Sequence, residues 1–298
     1  MQIVVRRSSL LSGEVLVPGA KNSVLKLMAA TLLAEGEYRL TNVPDIADVA
    51  TMCELLTALG MSTQRVSAHE LVLVNSGGIT PIAPFELVDR IRASINLLGP
   101  LLGKYGHVDI AMPGGDDFGS RPIDLHVAGL EAMGAVFDLN RDGVKATATH
   151  LHGAEITLTF PSVGATENIL MAAVLADGVT IIDNAAREPE IGDLCSMLNK
   201  MGAKIAGVGT GKMTITGVTP NELHSVDHEV INDRVQAATY IAAVAVAGGD
   251  VFVRGARAEH MEMLLNRYAE MGVSITPQVD GLRVVATDRL RAIDFSTL

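Results

Sequence analysis

The chain repeats one pattern four times at a nearly constant period, and a period of this length marks structural units that pack against their own copies. Each copy runs as a helix of small residues ending at Gly, a strand, a polar link, a second helix closing on Leu/Met-Gly, and two further strands. The first copy reads Ala29-Ala30-Thr31-Leu32-Leu33-Ala34-Glu35-Gly36 and closes at Leu59-Gly60-Met61. The third reads Met171-Ala172-Ala173-Val174-Leu175-Ala176-Asp177-Gly178 and closes at Met201-Gly202-Ala203. The second and fourth turn at Gly106 and Gly249 and close at Met133-Gly134-Ala135 and Met271-Gly272-Val273. Successive turn glycines lie 70, 72 and 71 residues apart.

Both helices of a copy are small and apolar nearly all round, as buried helices are. The strands follow in tails such as Leu71-Val72-Leu73-Val74. The pattern therefore predicts an α/β (or α+β) array with inner helices and outer sheets. If copies close in threes, residues 22–229 form a complete three-repeat domain. Residues 1–21 plus 230–298 then form an incomplete second one, with one repeat of three. Aromatics are 3% of the chain and Trp is absent, so the core is built from Ala, Val, Leu, Ile and Met. A net charge of −11 argues against nucleic acid or an anionic membrane as partner, since both need a basic surface. The N-terminus lacks a signal-peptide apolar region and no apolar run reaches transmembrane length, so a cytoplasmic protein is expected. Cys53 and Cys195 each lie seven residues before their closing glycine, where the other copies carry Val127 and Leu265. Both thiols thus read as core residues, not as a disulfide or a nucleophile.

The interval from turn glycine to closing glycine is 24, 28, 24 and 23 residues, so the second copy carries an insertion. Its extra residues belong to the stretch from Met112 to His126, with three glycines, adjacent Asp116 and Asp117, Arg121 and His126. An insertion at one position of a regular scaffold is how repeats acquire sites. The first helices also begin with polar residues that packing does not require: Lys21 and Asn22, then Asp89, Arg90 and Arg92, then Ser162 to Asn168, then Asn232 to Arg234. Inner helices packed in parallel would gather these N-termini at one end, where amides, helix dipoles and cations make an anion site. Ser162 or Thr166 can equally act as an ordinary N-cap. In the turn from Asp183 to Glu190, Arg187 reads as an ion-pair partner, while Glu188 and Glu190 fit either a ligand or a local pair.

Taken in order, Gly19-Ala20-Lys21-Asn22, Arg92-Ala93-Ser94-Ile95, Pro113-Gly114-Gly115 with Arg121-Pro122-Ile123-Asp124-Leu125-His126, Ser162-Val163-Gly164-Ala165-Thr166 and Asn184-Ala185-Ala186-Arg187-Glu188-Pro189-Glu190 resemble the motifs of the UDP-N-acetylglucosamine enolpyruvyl transferases (1-carboxyvinyltransferases). The resemblance covers essentially the whole chain. It implies the enolpyruvyl-transferase fold, an inside-out α/β architecture of six repeats, of which four are present here. It also implies transfer of the enolpyruvyl group of phosphoenolpyruvate to the 3-hydroxyl of UDP-N-acetylglucosamine with release of phosphate, the first committed step of peptidoglycan synthesis. No cofactor or metal is implied. By motif match Lys21, Arg92 and Arg121 would face phosphate or carboxylate groups, and Asn22 would hold the sugar. Arg121, Pro122, Ile123, Asp124 and Leu125 with Ser162, Val163 and Gly164 would hold the uridine diphosphate, and Glu188 is a further substrate contact.

This chain departs from the resemblance at named positions. The family loop usually carries Cys where Asp116 stands. A carboxyl with a raised pKa can protonate carbon, and the neighbouring Asp117 pushes in that direction. Asp116 is therefore expected to serve as general acid beside Lys21 and Arg121, and a loop without a thiolate is expected to resist fosfomycin. Phe160 replaces a frequent Lys and Asn96 an aromatic. The chain stops at Phe295-Ser296-Thr297-Leu298, before the segment that carries the family's general-base aspartate, which is expected of a piece of a longer enzyme. The alternatives are a non-catalytic nucleotide-sugar-binding protein and a paralogue that enolpyruvylates another nucleotide.

Overall fold

A computed structural model describes residues 3–4, 9–112, 114, 122–139, 143–287 and 289–294 of the 298-residue chain. The described elements follow the repeat. After strand β1 (Leu11–Leu16), the first copy is α1 (Lys21–Ala30), β2 (Gly36–Thr41), α2 (Ala47–Leu59), β3 (Ser62–Ser67) and β4 (Glu70–Asn75). A short α3 (Phe85–Val88) leads into a 3-10 segment, Arg92–Leu97, and then α4 (Leu98–Tyr105), β5 (His107–Ile110), α5 (Asp124–Ala132), β6 (Val136–Leu139) and β7 (Val144–Thr147). The third copy is β8 (Glu155–Thr157), α6 (Val163–Ala173), β9 (Val179–Asp183), α7 (Pro189–Met201), β10 (Lys204–Ala206) and β11 (Lys212–Thr216). After strand β12 (Asp227–Glu229), the fourth is α8 (Arg234–Ala247), β13 (Gly249–Arg254), α9 (Glu262–Met271), β14 (Ser274–Gln278) and β15 (Gly281–Ala286).

The chain divides into two compact units, residues 21–231 and residues 1–20 with 232–298. In the larger unit the inner helices are enclosed. Every residue of α1 from Ser23 to Ala30 is buried, and so is every residue of α6 from Ala165 to Ala173. The outer helices α2 and α7 bury one face, such as Leu194, Met197, Leu198 and Met201 of α7. Turn and closing glycines sit at positive φ, as at Gly60 and Gly202 (113° and 111°), where each ends its helix in the left-handed conformation. Cys195 is buried and Cys53 half-buried against the core, and both are free thiols. Burial pushes the Cys195 thiol up to about 12.

The sheets share one plan. In each, the strand after the inner helix pairs antiparallel with the last strand of its copy, which pairs antiparallel with the strand before it. A parallel strand completes the edge: β8 beside β9, and Ile82 beside Asp109 of β5. In copies one and four these edge strands are exchanged. β1, which precedes copy one, lies parallel to β13 of copy four, while β12, which precedes copy four, lies parallel to β2 of copy one. In the smaller unit α8 buries only a stripe, Ala237, Ile241, Val244 and Ala245, and Val246 is 88% exposed.

Helices α4 and α6 approach closely because α4 carries glycine at the contact. A Cβ on Gly99 would fall 2.3 Å from the Asn168 carbonyl oxygen, and one on Gly103 would fall 3.1 Å from the Ala172 Cα. The Gly99 amide donates to Asn168 Oδ1 at 2.7 Å, so the helices are also pinned in register. Gly99→Ala should therefore destabilise the protein by about 2 kcal/mol despite the better helix propensity of Ala, because overpacking moves backbone against backbone. Thermal unfolding would read this as a melting point several degrees lower, and an unchanged or raised value would contradict the close packing.

Candidate active site

The larger unit brings the first turns of its helices together through buried polar side chains. Asn168 Nδ2 donates to His126 Nδ1 at 2.9 Å, which joins α6 to α5 and leaves the proton on the other ring nitrogen. The His126 ring packs on Gly164, where a Cβ would come within 3.0 Å of Cε1. Burial first, and then the Arg92 guanidinium, pushes His126 down to about 4, so the ring is neutral at pH 7. Thr166 Oγ1 accepts from the Ala186 amide at 3.1 Å and ties the Asn184–Glu188 turn to α6.

A second buried group sits between α1 and α7. Ser23 Oγ donates to Asp193 Oδ2 at 2.5 Å, and Asp193 Oδ1 lies 2.8 Å from His228 Nε2. The Ile231 amide adds a longer bond of 3.3 Å. Serine bonds the carboxylate and not the imidazole, so the order of a hydrolytic triad is absent and the network serves to fix the first turn of α1.

The residues expected to bind substrate lie on this framework as follows. Lys21 opens α1, half exposed, with Nζ 3.1 Å from Asp48 Oδ2. Asn22 follows it and is exposed. Arg92 is half-buried at the start of the 3-10 segment before α4. Ser162 caps α6, its Oγ accepting from the Ala165 amide at 3.3 Å, and Val163 and Gly164 follow half-buried in the first turn. A first turn leaves amides without partners inside the helix, which favours an anion. Pro122 and Asp124 are exposed before and at the start of α5, Leu125 is half-buried, and the Ile123 side chain packs into the core. Glu188 is half-buried at the N-cap of α7. Asp116 and Arg121 lie outside the described residues.

Several expectations change. Of the two cap candidates Ser162 is the one that caps, and Thr166 holds the neighbouring turn. Arg187 makes no ion pair among the described residues, and its guanidinium lies across Gly211, where a Cβ would fall 2.7 Å from Nη2. Arg90 points to α2, with Nη1 2.6 Å from Glu54, and not to the gathered helix starts. Asp233 caps α8, accepting from the Val235 and Gln236 amides. Asn96 is buried with Oδ1 unpartnered among the described residues. Phe160, two residues before the Ser162 cap, is 63% exposed. The sequence reading missed Lys26, buried in α1, whose signal was a charge on an otherwise apolar inner helix; Glu167, named only within the polar start of α6, is buried there. A cavity of about 530 Å³ opens elsewhere, among residues that include Tyr105, His150, Asp177 and Thr219, away from these first turns.

Enclosed inner helices, a strand-helix-strand-strand outer layer and helix starts that carry Lys21 and Arg92 are the features that comparison with known proteins bears on. The solved enolpyruvyl transferase NikO from Streptomyces tendae superposes with a TM-score of 0.86 at 25% identity, over 98% of this chain and 70% of that one. EPSP synthase from Acinetobacter baumannii superposes with a TM-score of 0.69 at 20% identity, over 94% of this chain and 64% of that one, and shares the fold. The chain belongs to the EPSP synthase (3-phosphoshikimate 1-carboxyvinyltransferase) family, whose pattern it matches over residues 5–298. Two relatives are UDP-N-acetylglucosamine 1-carboxyvinyltransferases, 50% identical in Nocardia farcinica and 49% in Mycobacterium leprae. Each covers all of this chain, which spans 70% of its length. No described helix is long and apolar enough to cross a membrane.

His126 makes stability pH-dependent with a definite sign. Its folded pKa lies below the unfolded value, so its contribution is present above pH 6.5 and is lost as pH falls through about 4. The loss should amount to about 3 kcal/mol. His126→Asn should start less stable at pH 7 yet lose less between those values in urea melts. Parallel pH curves for the two proteins would refute the assignment.

Proposed function

We propose that the protein binds UDP-N-acetylglucosamine and phosphoenolpyruvate and transfers the enolpyruvyl group to the sugar 3-hydroxyl, releasing phosphate, in peptidoglycan synthesis. The observation that carries this reading is the half-identity, over the full length of this chain, to two relatives that bear that name. The first turns of α1 and α6 support it, since they bring Lys21, Asn22, Ser162, Val163 and Gly164 to helix N-termini suited to an anion.

In the proposed reaction a general base takes the proton of the 3-hydroxyl as its oxygen bonds to C2 of phosphoenolpyruvate, and the C2–C3 double-bond pair takes a proton at C3, giving a tetrahedral intermediate. Loss of a proton from C3 then re-forms the C2–C3 double bond as the bond from C2 to the phosphate oxygen breaks, so phosphate leaves with the electron pair and the enol ether remains. Lys21, Arg92 and Arg121 pair with the phosphate and carboxylate. Asn22 holds the sugar, while Pro122, Ile123, Asp124 and Leu125 with the α6 turn hold the uridine diphosphate, and Glu188 borders the substrate. Asp116 supplies the C3 proton, a role resting on its place in the loop sequence. The exposed ring of Phe160 favours, as a second reading, a paralogue with a different nucleotide acceptor, because it offers an aromatic face beside the cap.

Phosphate release from phosphoenolpyruvate, measured with a panel of sugar nucleotides, tests the reading. UDP-N-acetylglucosamine should be the best acceptor, and a different winner would support the paralogue. Binding of UDP-N-acetylglucosamine without phosphate release would instead support a nucleotide-sugar-binding protein. Asp116→Asn should lower turnover about 10²-fold or more. The unsubstituted protein should resist fosfomycin, whereas Asp116→Cys should keep activity and become sensitive to it. Rapid covalent labelling of the unsubstituted loop by fosfomycin would sink the acid assignment.

A further inference from the structure

Two charges are buried on helices that are otherwise apolar. The Glu167 side chain on α6 is 1% exposed, and neither of its oxygens has a hydrogen-bond partner among the described residues. Its nearest cation, Lys26 Nζ on α1, stands 3.6 Å from Oε1, too far for a hydrogen bond. The same ammonium donates to the carbonyl oxygen of Asn22, in the first turn of α1. One cation thus serves both a carboxylate in the interior and the backbone of a substrate-binding turn. From α7, Glu188 and Glu190 oppose a charge on Glu167; on α5, His126 is neutral, and Arg92 acts on that ring. Burial, with these two carboxylates, raises Glu167 to about 7, and Lys26 only partly counters it.

The geometry points to a proton-coupled positioning pair: Glu167 takes up a proton from solvent when an anionic ligand occupies the first turns of α1 and α6. A diphosphate there adds negative charge close to a carboxylate already crowded by Glu188 and Glu190. Protonation of Glu167 relieves the repulsion and leaves the Lys26 charge to the Asn22 turn and the ligand. Linkage makes the effect reciprocal, so protons tighten ligand binding as much as the ligand tightens proton binding. The inference deepens the nucleotide-sugar reading above and rests on it for its ligand.

UDP-N-acetylglucosamine carries no group that titrates between pH 6 and 8, so proton exchange on its binding reports the protein. Calorimetry at pH 7 in buffers of different ionisation heat should show uptake of about a third of a proton, with Kd weakening severalfold from pH 6 to pH 8. Glu167→Gln should abolish the uptake and flatten the pH dependence of Kd, which a purely structural role would not do. Wild-type binding without proton uptake, or uptake that survives in Glu167→Gln, overturns the pair. If no UDP-N-acetylglucosamine binds at any pH, the nucleotide-sugar reading falls and the unliganded protein judges the pair. There the ¹³C signals of the Glu167 carboxyl and the Asn22 carbonyl should titrate with one midpoint near 7. An Asn22 signal that stays still while Glu167 titrates overturns the coupling, and this measurement does not depend on a variant that folds.

Discussion

Everything at the candidate site depends on how near two inner helices can come. Glycine at positions 99 and 103 lets the backbone of α4 lie against α6 at Asn168 and Ala172. At that distance Asn168 reaches the Gly99 amide with its oxygen and His126 with its nitrogen. A bulkier contact would separate the second copy from the third, and the Arg92 segment and the Ser162 turn would part with them. Packing density and site geometry are one constraint here, because polar side chains span the gap only when the helices touch.

Buried polar ties do the fine positioning. Asp193 fixes Ser23 in α1, Thr166 fixes the turn before α7, and Asn168 fixes the start of α5. Each tie ends within one or two turns of a helix N-terminus, so the amides and cations there are held by the interior and not by loops. Such preorganisation is what stabilisation of a multiply charged substrate requires. Glu167 stands apart because among the described residues its oxygens have no hydrogen-bond partner to orient them, and Lys26 faces it across a longer gap.

The repeat was legible because its glycines have no substitute: eight turns and closures need positive φ, and only glycine supplies it without strain. The lengthened second copy was legible for the same reason, as a break in an even count. Other features were not. Averaged over a helix, Lys26 vanishes among apolar neighbours, and Glu167 showed only as part of a polar helix start, although a charge on an all-round buried helix is the costly residue that requires an explanation. Arg187 was misjudged, and the partner of Thr166 went unseen, because Gly211 and the Ala186 amide belong to a hairpin and a turn whose approach no local pattern encodes. Likewise α8 is as small and apolar as α1, yet it buries only a stripe, since composition does not tell which faces have neighbours.

The exchanged edge strands carry a consequence for synthesis. Leu11 finds its partner at Gly249, and Arg39 finds Asp227, so two sheets are closed by residues far apart in the chain. As the polypeptide leaves the ribosome, β1 emerges first and stays without its partner until β13 has been made. β2 likewise presents an open edge until the rest of its copy, the second and third copies and then β12 have been made. Neither sheet can be finished in the order of translation. The assembly of this protein is therefore tied to the far end of each loop closure, with the long-range contacts that slow folding and leave strand edges exposed in the nascent chain.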